Sequence, residues 1–121
     1  MVKRILITDD SSFIRTTLRD ILTAGGYEVV GEANSGEQAI IKFKELLPDL
    51  VTLDVEMPVK TGLEALKGIM DLDRKAKVLM VTAEGQQATI VTAIQSGAKG
   101  FLVKPFKSDD VIAEVKRILG N

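Results

Sequence analysis

Four of the five apolar runs in this 121-residue chain end in residues that handle metal ions or phosphate. Asp9 and Asp10 follow the first run, Asp54 the third, and Thr82 and Lys104 end the fourth and fifth. Carboxylates bind hard cations and can attack phosphorus, whereas hydroxyl and ammonium groups stabilise phosphoryl oxygens. Three carboxylates beside one ammonium group leave two negative charges uncompensated. If these side chains meet, we therefore expect either a raised carboxylate pKa or a bound cation among them.

The elements that must position these residues alternate between two patterns. Continuous β-branched runs predict strands that are covered on both faces, and apolar residues at helical spacing predict a helix after each strand. In the fourth helix, near 86–96, we expect Ile90, Val91 and Ile94 to face inward, and we expect Ser108 to cap the fifth helix. The predicted strands cover about 2–8, 27–33, 50–53, 77–82 and 100–103.

This alternation predicts a single α/β domain over residues 1–121, with a parallel sheet and helices on both of its faces. In open sheets of this kind the working site lies beyond the carboxyl ends of the strands. The acidic, hydroxyl and basic residues that follow the strands are therefore expected to lie at one edge of the sheet.

Composition excludes several classes of function. The chain has no cysteine and no histidine, so it has no thiolate metal site and cannot itself be a phosphohistidine donor. An all-oxygen ligand set selects a hard metal ion. The balance of 16 basic against 17 acidic residues argues against a nucleic-acid partner. The apolar runs are shorter than the roughly 20 residues that span a bilayer, so we expect a soluble, cytoplasmic protein without a membrane partner.

The sequence contains the set Asp9-Asp10, Asp54, Met57-Pro58, Thr82-Ala83 and Lys104-Pro105. This set resembles the receiver domain of two-component response regulators. The resemblance covers the whole chain and is greatest to the stand-alone receivers that act in chemotaxis. It implies a flavodoxin-like (βα)5 fold, with a five-stranded parallel sheet of order 2-1-3-4-5. That strand order comes from the family and not from the pattern of this sequence.

The resemblance also implies a phosphorylation site with a metal ion. Asp54 would accept a phosphoryl group from a separate histidine kinase. Asp10 would bind Mg²⁺ directly and Asp9 would hold it through water, with Asp54 and the backbone carbonyl of Glu56 completing the protein ligands.

Further residues would respond to the phosphoryl group. Thr82 would hydrogen-bond it, Lys104 would pair with it, and the bond between Lys104 and Pro105 would be cis. Phe101 lies where the family has a switching aromatic, often tyrosine; as phenylalanine it lacks a hydroxyl group for a partner to bind, and it is otherwise a plain core aromatic. Glu56 and Glu84 lie where the family tunes hydrolysis, and the sequence does not give their effect.

Phosphorylation would then shift an existing equilibrium and change the affinity of the face formed by the fourth helix, fifth strand and fifth helix for a downstream protein. Such a protein is expected to be a monomer that catalyses only its own phosphorylation and dephosphorylation. A phosphorelay intermediate is an alternative within the same family. A small Mg²⁺-dependent aspartyl-phosphate phosphatase, with Glu56 as general acid, is another. A flavodoxin-like cofactor binder is disfavoured because the chain has no glycine-rich phosphate loop and no tryptophan.

Overall fold

The computed structural model describes residues 1–57, 59–83 and 87–120, and within them strands and helices alternate as the sequence predicts. The strands are β1 (Arg4–Thr8), β2 (Glu28–Ala33), β3 (Leu50–Asp54), β4 (Val78–Ala83) and β5 (Gly100–Lys104). The helices are α1 (Ser12–Ala24), α2 (Gly36–Leu46), α3 (Gly62–Leu72), α4 (Gln87–Gln95) and α5 (Ser108–Leu119). No helix of the described chain has the length and apolar character needed to cross a membrane.

The strands form one sheet of order β2-β1-β3-β4-β5, and every neighbouring pair is parallel. This order confirms the one that the family resemblance implies. The register brings the carboxyl ends of four strands to a common edge. The pairs that define this edge are Thr8 with Leu53, Asp54 with Val81, and Ala83 with Lys104.

The central strand β3 is buried along its whole length because helices cover both faces of the sheet. Val51 and Leu53 belong to one apolar cluster, which includes residues of α2, α3 and α4. Leu50 belongs to the other cluster, with residues of α1 and α5. Asp54 is therefore the last residue of a strand that is packed on both sides, which holds its backbone firmly.

Among the described residues, side chains cap α1, α2 and α3. The Ser11 hydroxyl oxygen accepts a hydrogen bond from the Ile14 N–H at 3.2 Å, and Ser35 caps α2 in the same way. Thr61 and Glu64 form a capping box at the start of α3.

The prediction that Ser108 caps α5 is wrong. Lys107 occupies the cap position without a side-chain hydrogen bond, and Ser108 is the first helical residue. Asp109 and Asp110 follow in the first turn, where the helix dipole favours negative charge.

The predicted inward face of α4 is only partly correct. Ile90 is buried as expected, but Val91 and Ile94 are 56% and 44% exposed, and the second buried position is Ala93. Ile90 and Ala93 are three residues apart, so they lie on the same side of α4, and this side packs against the sheet. Val91 and Ile94 therefore lie on the outer side. The helix therefore presents an apolar surface to solvent.

Candidate functional site

Three carboxylates meet at the carboxyl edge of the sheet, as the sequence predicts. Asp9 and Asp10 follow β1, Asp54 ends β3, and one carboxylate oxygen from each lies within 4.8 Å of the other two. Asp9 and Asp54 are buried whereas Asp10 is exposed. We call this cluster the acidic pocket; it is open to solvent on the side of Asp10.

Lys104, at the end of β5, places an ammonium group in the acidic pocket. Its Nζ lies 3.0 Å from Asp9 Oδ2 and 3.5 Å from Asp54 Oδ2. The peptide bond between Lys104 and Pro105 is cis, in line with the expectation from the family. One positive charge thus faces three carboxylates, which is the imbalance that the sequence predicts.

Asp9 is held from several directions. Its N–H donates to the Ala33 carbonyl at 3.1 Å, and its Oδ1 accepts a hydrogen bond from the Ser11 N–H at 2.9 Å. Its Oδ2 is buried and, among the described residues, has no well-aligned hydrogen-bond donor beyond the ion pair with Lys104. A buried carboxylate oxygen without a full set of partners is costly, so this atom is suited to a further positive ligand or its water shell.

The acidic pocket perturbs the pKa of Asp54. Burial raises the pKa of this carboxyl from 3.8 to about 6, and the charge of Asp9 acts in the same direction. The charge of Lys104 and the Glu56 N–H, which donates to Asp54 Oδ1 at 3.3 Å, oppose the rise in pKa without cancelling it. The raised carboxylate pKa expected from the sequence therefore occurs at Asp54.

Lys104 stays charged in this environment. Burial alone would lower the pKa of its ammonium group, but the close contact with Asp9 and the charges of Asp54 and Asp9 outweigh burial and raise it. The pocket therefore combines a permanent cation with carboxylates that repel one another.

These features fit a hard divalent cation. The donors are carboxylate oxygens without histidine or cysteine, which is the set that Mg²⁺ prefers. A divalent ion would favour the ionised form of Asp54, whose pKa is raised by burial and by the charge of Asp9, and would give Asp9 Oδ2 a further partner.

The structure also describes Thr82, Glu56 and Phe101 among the remaining predicted residues. Thr82 is buried in β4, one residue before its end and one residue beyond the partner of Asp54, and its hydroxyl donates to the Ala83 carbonyl at 3.2 Å. The Glu56 side chain is exposed. Phe101 is 44% exposed on β5, so the alternative that it is a core aromatic is wrong. Pro58, Glu84 and Gln86 lie outside the described residues.

Sequence reasoning missed a contact made by Arg15 in α1. The Nη1 of Arg15 donates to the Asp9 carbonyl at 2.7 Å, and its Nε donates to Glu32 Oε1 at 2.9 Å. The available signal was a basic residue one helical turn after the capping Ser11. That signal is weak on its own, because the contact with Glu32 depends on β2 lying next to β1.

Comparisons with known proteins agree with the geometry. Residues 5–116 match the family described as the response regulator receiver domain. The chain is 48% identical to the chemotaxis protein CheY of Thermotoga maritima over 98% of both proteins. It is 49% identical to the chemotaxis protein CheY of Bacillus subtilis, over 98% of this chain and 99% of that protein.

Among solved structures, the chain is similar to a Borrelia burgdorferi protein in a crystal structure of a CheX-CheY-BeF3-Mg²⁺ complex. The TM-score is 0.93 with 36% identity, and the match covers 96% of this chain and 88% of the other. The matches cover nearly the whole chain, and the chain has the sheet order and the acidic pocket that the family resemblance implies. The chain belongs to the response regulator receiver domain family, the phosphorylation switches of two-component systems.

Proposed function

We propose that residues 1–121 act as a stand-alone receiver domain in chemotaxis, and that Asp54 accepts its phosphoryl group from a histidine kinase. The observation that supports this most is the position of Asp54. Its carboxylate ends the central strand, lies 3.5 Å from the Lys104 ammonium and faces Asp9 and Asp10. The similarity to chemotaxis proteins over nearly the whole chain supports the pathway.

The nucleophile in this proposal is an Asp54 carboxylate oxygen. It attacks the phosphorus of a phosphohistidine or a small acyl phosphate, so a P–O bond forms to Asp54 and the bond from phosphorus to the donor atom breaks. The donor nitrogen or oxygen leaves with the bonding electron pair. Only the ionised carboxylate has a free electron pair of sufficient basicity, so the raised pKa of Asp54 matters for the rate.

Asp9, Asp10, Asp54 and the Glu56 carbonyl would hold Mg²⁺. When bound, this ion neutralises the pocket and the charge on the phosphoryl oxygens. The chain's own contribution is to keep Asp9 and Asp54 on rigid strand ends and to exclude water from their inner sides, because both are nearly inaccessible to solvent.

The phosphoryl group would redirect two side chains. It adds about −1.5 to −2 charges and three strong acceptor oxygens. Lys104, now shared between Asp9 and Asp54, would gain a stronger partner in these oxygens. The Thr82 hydroxyl, which donates to a carbonyl in the unphosphorylated protein, would turn towards the new acceptor.

Movement of Thr82 and Lys104 would reach the surface through β4 and β5, which pair directly next to each other. Val91, Ile94 and Phe101 expose apolar surface on α4 and β5. In this proposal the α4-β5-α5 face binds a downstream protein target with an affinity that depends on phosphorylation, and the chain works as a monomer. It would catalyse only its own phosphorylation and dephosphorylation. The Borrelia relative, seen with CheX, BeF3 and Mg²⁺, supports a protein target of this general kind.

The experiment is intact-mass spectrometry after incubation with acetyl phosphate and Mg²⁺. We expect the mass of one phosphoryl group to be added to the wild-type protein, and no addition in EDTA or in Asp54→Ala. Asp71→Ala, which removes an exposed carboxylate of α3, is the matched control and should be phosphorylated like the wild type. Undiminished phosphorylation of Asp54→Ala would show that another residue is the acceptor.

A further inference from the structure

Arg15 joins the acidic pocket to the neighbouring strand. It lies in α1, its side chain is only 18% exposed, and its guanidinium group reaches two acceptors at once. Nη1 donates to the backbone carbonyl of Asp9 at 2.7 Å, while Nε donates to Glu32 Oε1 at 2.9 Å. A guanidinium group is planar and rigid, so fixing one of its nitrogens also fixes the direction of the other.

Glu32 is itself held in place. It lies on β2 opposite Ile7, its Oε2 accepts a hydrogen bond from Arg19 Nε at 2.7 Å, and its backbone carbonyl accepts one from Lys42 Nζ. Burial would raise the pKa of Glu32, but the hydrogen bonds and charges of Arg19 and Arg15 outweigh it and keep the pKa below its ordinary value. Glu32 is therefore an ionised and immobile anchor for Arg15.

The bond to the Asp9 carbonyl matters because that carbonyl belongs to the peptide group between Asp9 and Asp10. Asp10 is exposed, and within the described chain its side chain makes no hydrogen bond that could orient it. The Asp9–Asp10 peptide group contains the Asp10 Cα, so it fixes the point from which this side chain extends. On the other side of Asp9, the Ser11 N–H holds Oδ1 at 2.9 Å.

We propose that Arg15 is a positioning residue of the acidic pocket: held by Glu32, it fixes the Asp9–Asp10 peptide group and so aims both carboxylates at a cation. This rests on the proposed function, because it assumes that the pocket binds Mg²⁺. Arg15 need not touch the ion, since it acts through the backbone of Asp9.

The direction in which one substitution changes the Mg²⁺ affinity separates positioning from a simple effect of charge. Arg15→Met removes a positive charge near an acidic pocket, which by Coulomb's law alone would strengthen Mg²⁺ binding. Loss of positioning has the opposite effect. Removing an outer partner of a metal ligand weakens metal binding by roughly 10-fold or more, and we expect a loss of that size.

Arg19→Met is the matched control. It removes the same charge from the same helix and breaks the shorter bond to Glu32, at 2.7 Å, but Arg19 makes no contact with Asp9 among the described residues. Glu32 keeps its bonds to Arg15 and Lys42 in this variant, so we expect it to bind Mg²⁺ as the wild type does, or slightly more tightly. Arg15→Lys keeps the charge but cannot reach both acceptors, so it should also bind Mg²⁺ more weakly than the wild type.

The measurement is isothermal titration calorimetry of the unphosphorylated protein with Mg²⁺ alone, at a temperature where thermal unfolding shows every variant to be folded. If Arg15→Met does not fold, Arg15→Lys takes its place, because it keeps the positive charge and changes only the contact with the two acceptors. Weaker Mg²⁺ binding in the Arg15 variants, and not in Arg19→Met, supports the inference.

Unchanged or tighter Mg²⁺ binding in Arg15→Met would overturn it, as would an equal loss of affinity in Arg19→Met. Both outcomes would leave the proposed function intact, provided that the wild-type protein binds Mg²⁺. Absence of Mg²⁺ binding by the wild type would instead overturn the metal site of the proposed function, and the inference with it.

Discussion

Replacement of Asp54 by asparagine should stabilise the folded protein in the absence of a divalent cation. The pKa of Asp54 rises from 3.8 to about 6 on folding, chiefly through burial. Each pKa unit corresponds to about 1.4 kcal/mol, so the ionised carboxylate lowers the free energy of unfolding by about 3 kcal/mol at most. Solvent reaching the pocket at Asp10 screens part of this cost, and we expect a gain of about 1 to 3 kcal/mol in Asp54→Asn.

The pH dependence gives the prediction a definite sign. Because the pKa of Asp54 is higher in the folded than in the unfolded protein, the folded state binds the proton more tightly between 3.8 and about 6. The contribution of Asp54 to stability is therefore greatest below this window and falls as the pH rises through it. The advantage of Asp54→Asn should be full above about pH 6 and should shrink towards pH 4.

Urea unfolding followed by circular dichroism, in EDTA and across this pH range, measures the difference directly. Asp71→Asn, at an exposed position of α3, should change stability by less than about 0.5 kcal/mol at every pH. Mg²⁺ should stabilise the wild type more than Asp54→Asn and so reduce the difference between their free energies of unfolding. An Asp54→Asn protein that is no more stable than the wild type at pH 7.5 in EDTA would refute the claim that ionised Asp54 destabilises the fold. A stability difference between the two proteins that does not depend on pH would refute it as well.

Three further predictions concern the surroundings of the site. Val59 has a φ of 68°, which strains a β-branched residue, and its side chain is 81% exposed. Asparagine tolerates this backbone conformation, so Val59→Asn should raise stability in urea by about 0.5 to 1 kcal/mol. A loss of stability would contradict the backbone strain at Val59. A Cβ at Gly62 would lie 2.2 Å from the Asp54 carbonyl oxygen, so Gly62→Ala should lower stability in urea by about 1 to 3 kcal/mol, and an unchanged midpoint would contradict this close contact. Lys104→Gln removes the counter-charge that lowers the pKa of Asp54, so the acid limb of phosphorylation by acetyl phosphate should move to higher pH. Exposed Lys107→Gln should leave that profile unchanged, and an equal displacement in both variants would point to a general effect of net charge.

The sequence predicts the strands and the acidic pocket well because the relevant signals are local. Continuous β-branched runs that stop at a charged residue mark the strand ends, and parallel strands bring those ends to one edge. The meeting of Asp9, Asp10, Asp54 and Lys104 follows from that rule once the strands are adjacent. The adjacency itself came from the family resemblance, because no pattern in the sequence encodes the order of the strands.

Features that depend on packing between elements were less predictable. The nine residues of α4 are mostly apolar or small, so the pattern does not identify which side packs on the sheet, and Val91 and Ile94 were misplaced. Ser108 is a good capping residue by type, but the chain enters α5 one residue earlier, at Lys107. The contact of Arg15 with the Asp9 carbonyl requires α1 to be seated against β1 and β2, which only the tertiary structure provides.

Coupling between the acidic pocket and the α4-β5-α5 face is tested most directly by NMR of the methyl and aromatic signals of Val91, Ile94 and Phe101. The spectra would be recorded with Mg²⁺ alone and then with beryllium trifluoride, which stands in for a phosphoryl group on Asp54. We expect all three residues to change their signals on addition of beryllium trifluoride in the wild type and not in Asp54→Asn. Changes confined to the residues of the acidic pocket would contradict a switch that carries phosphorylation of Asp54 to a distant binding surface.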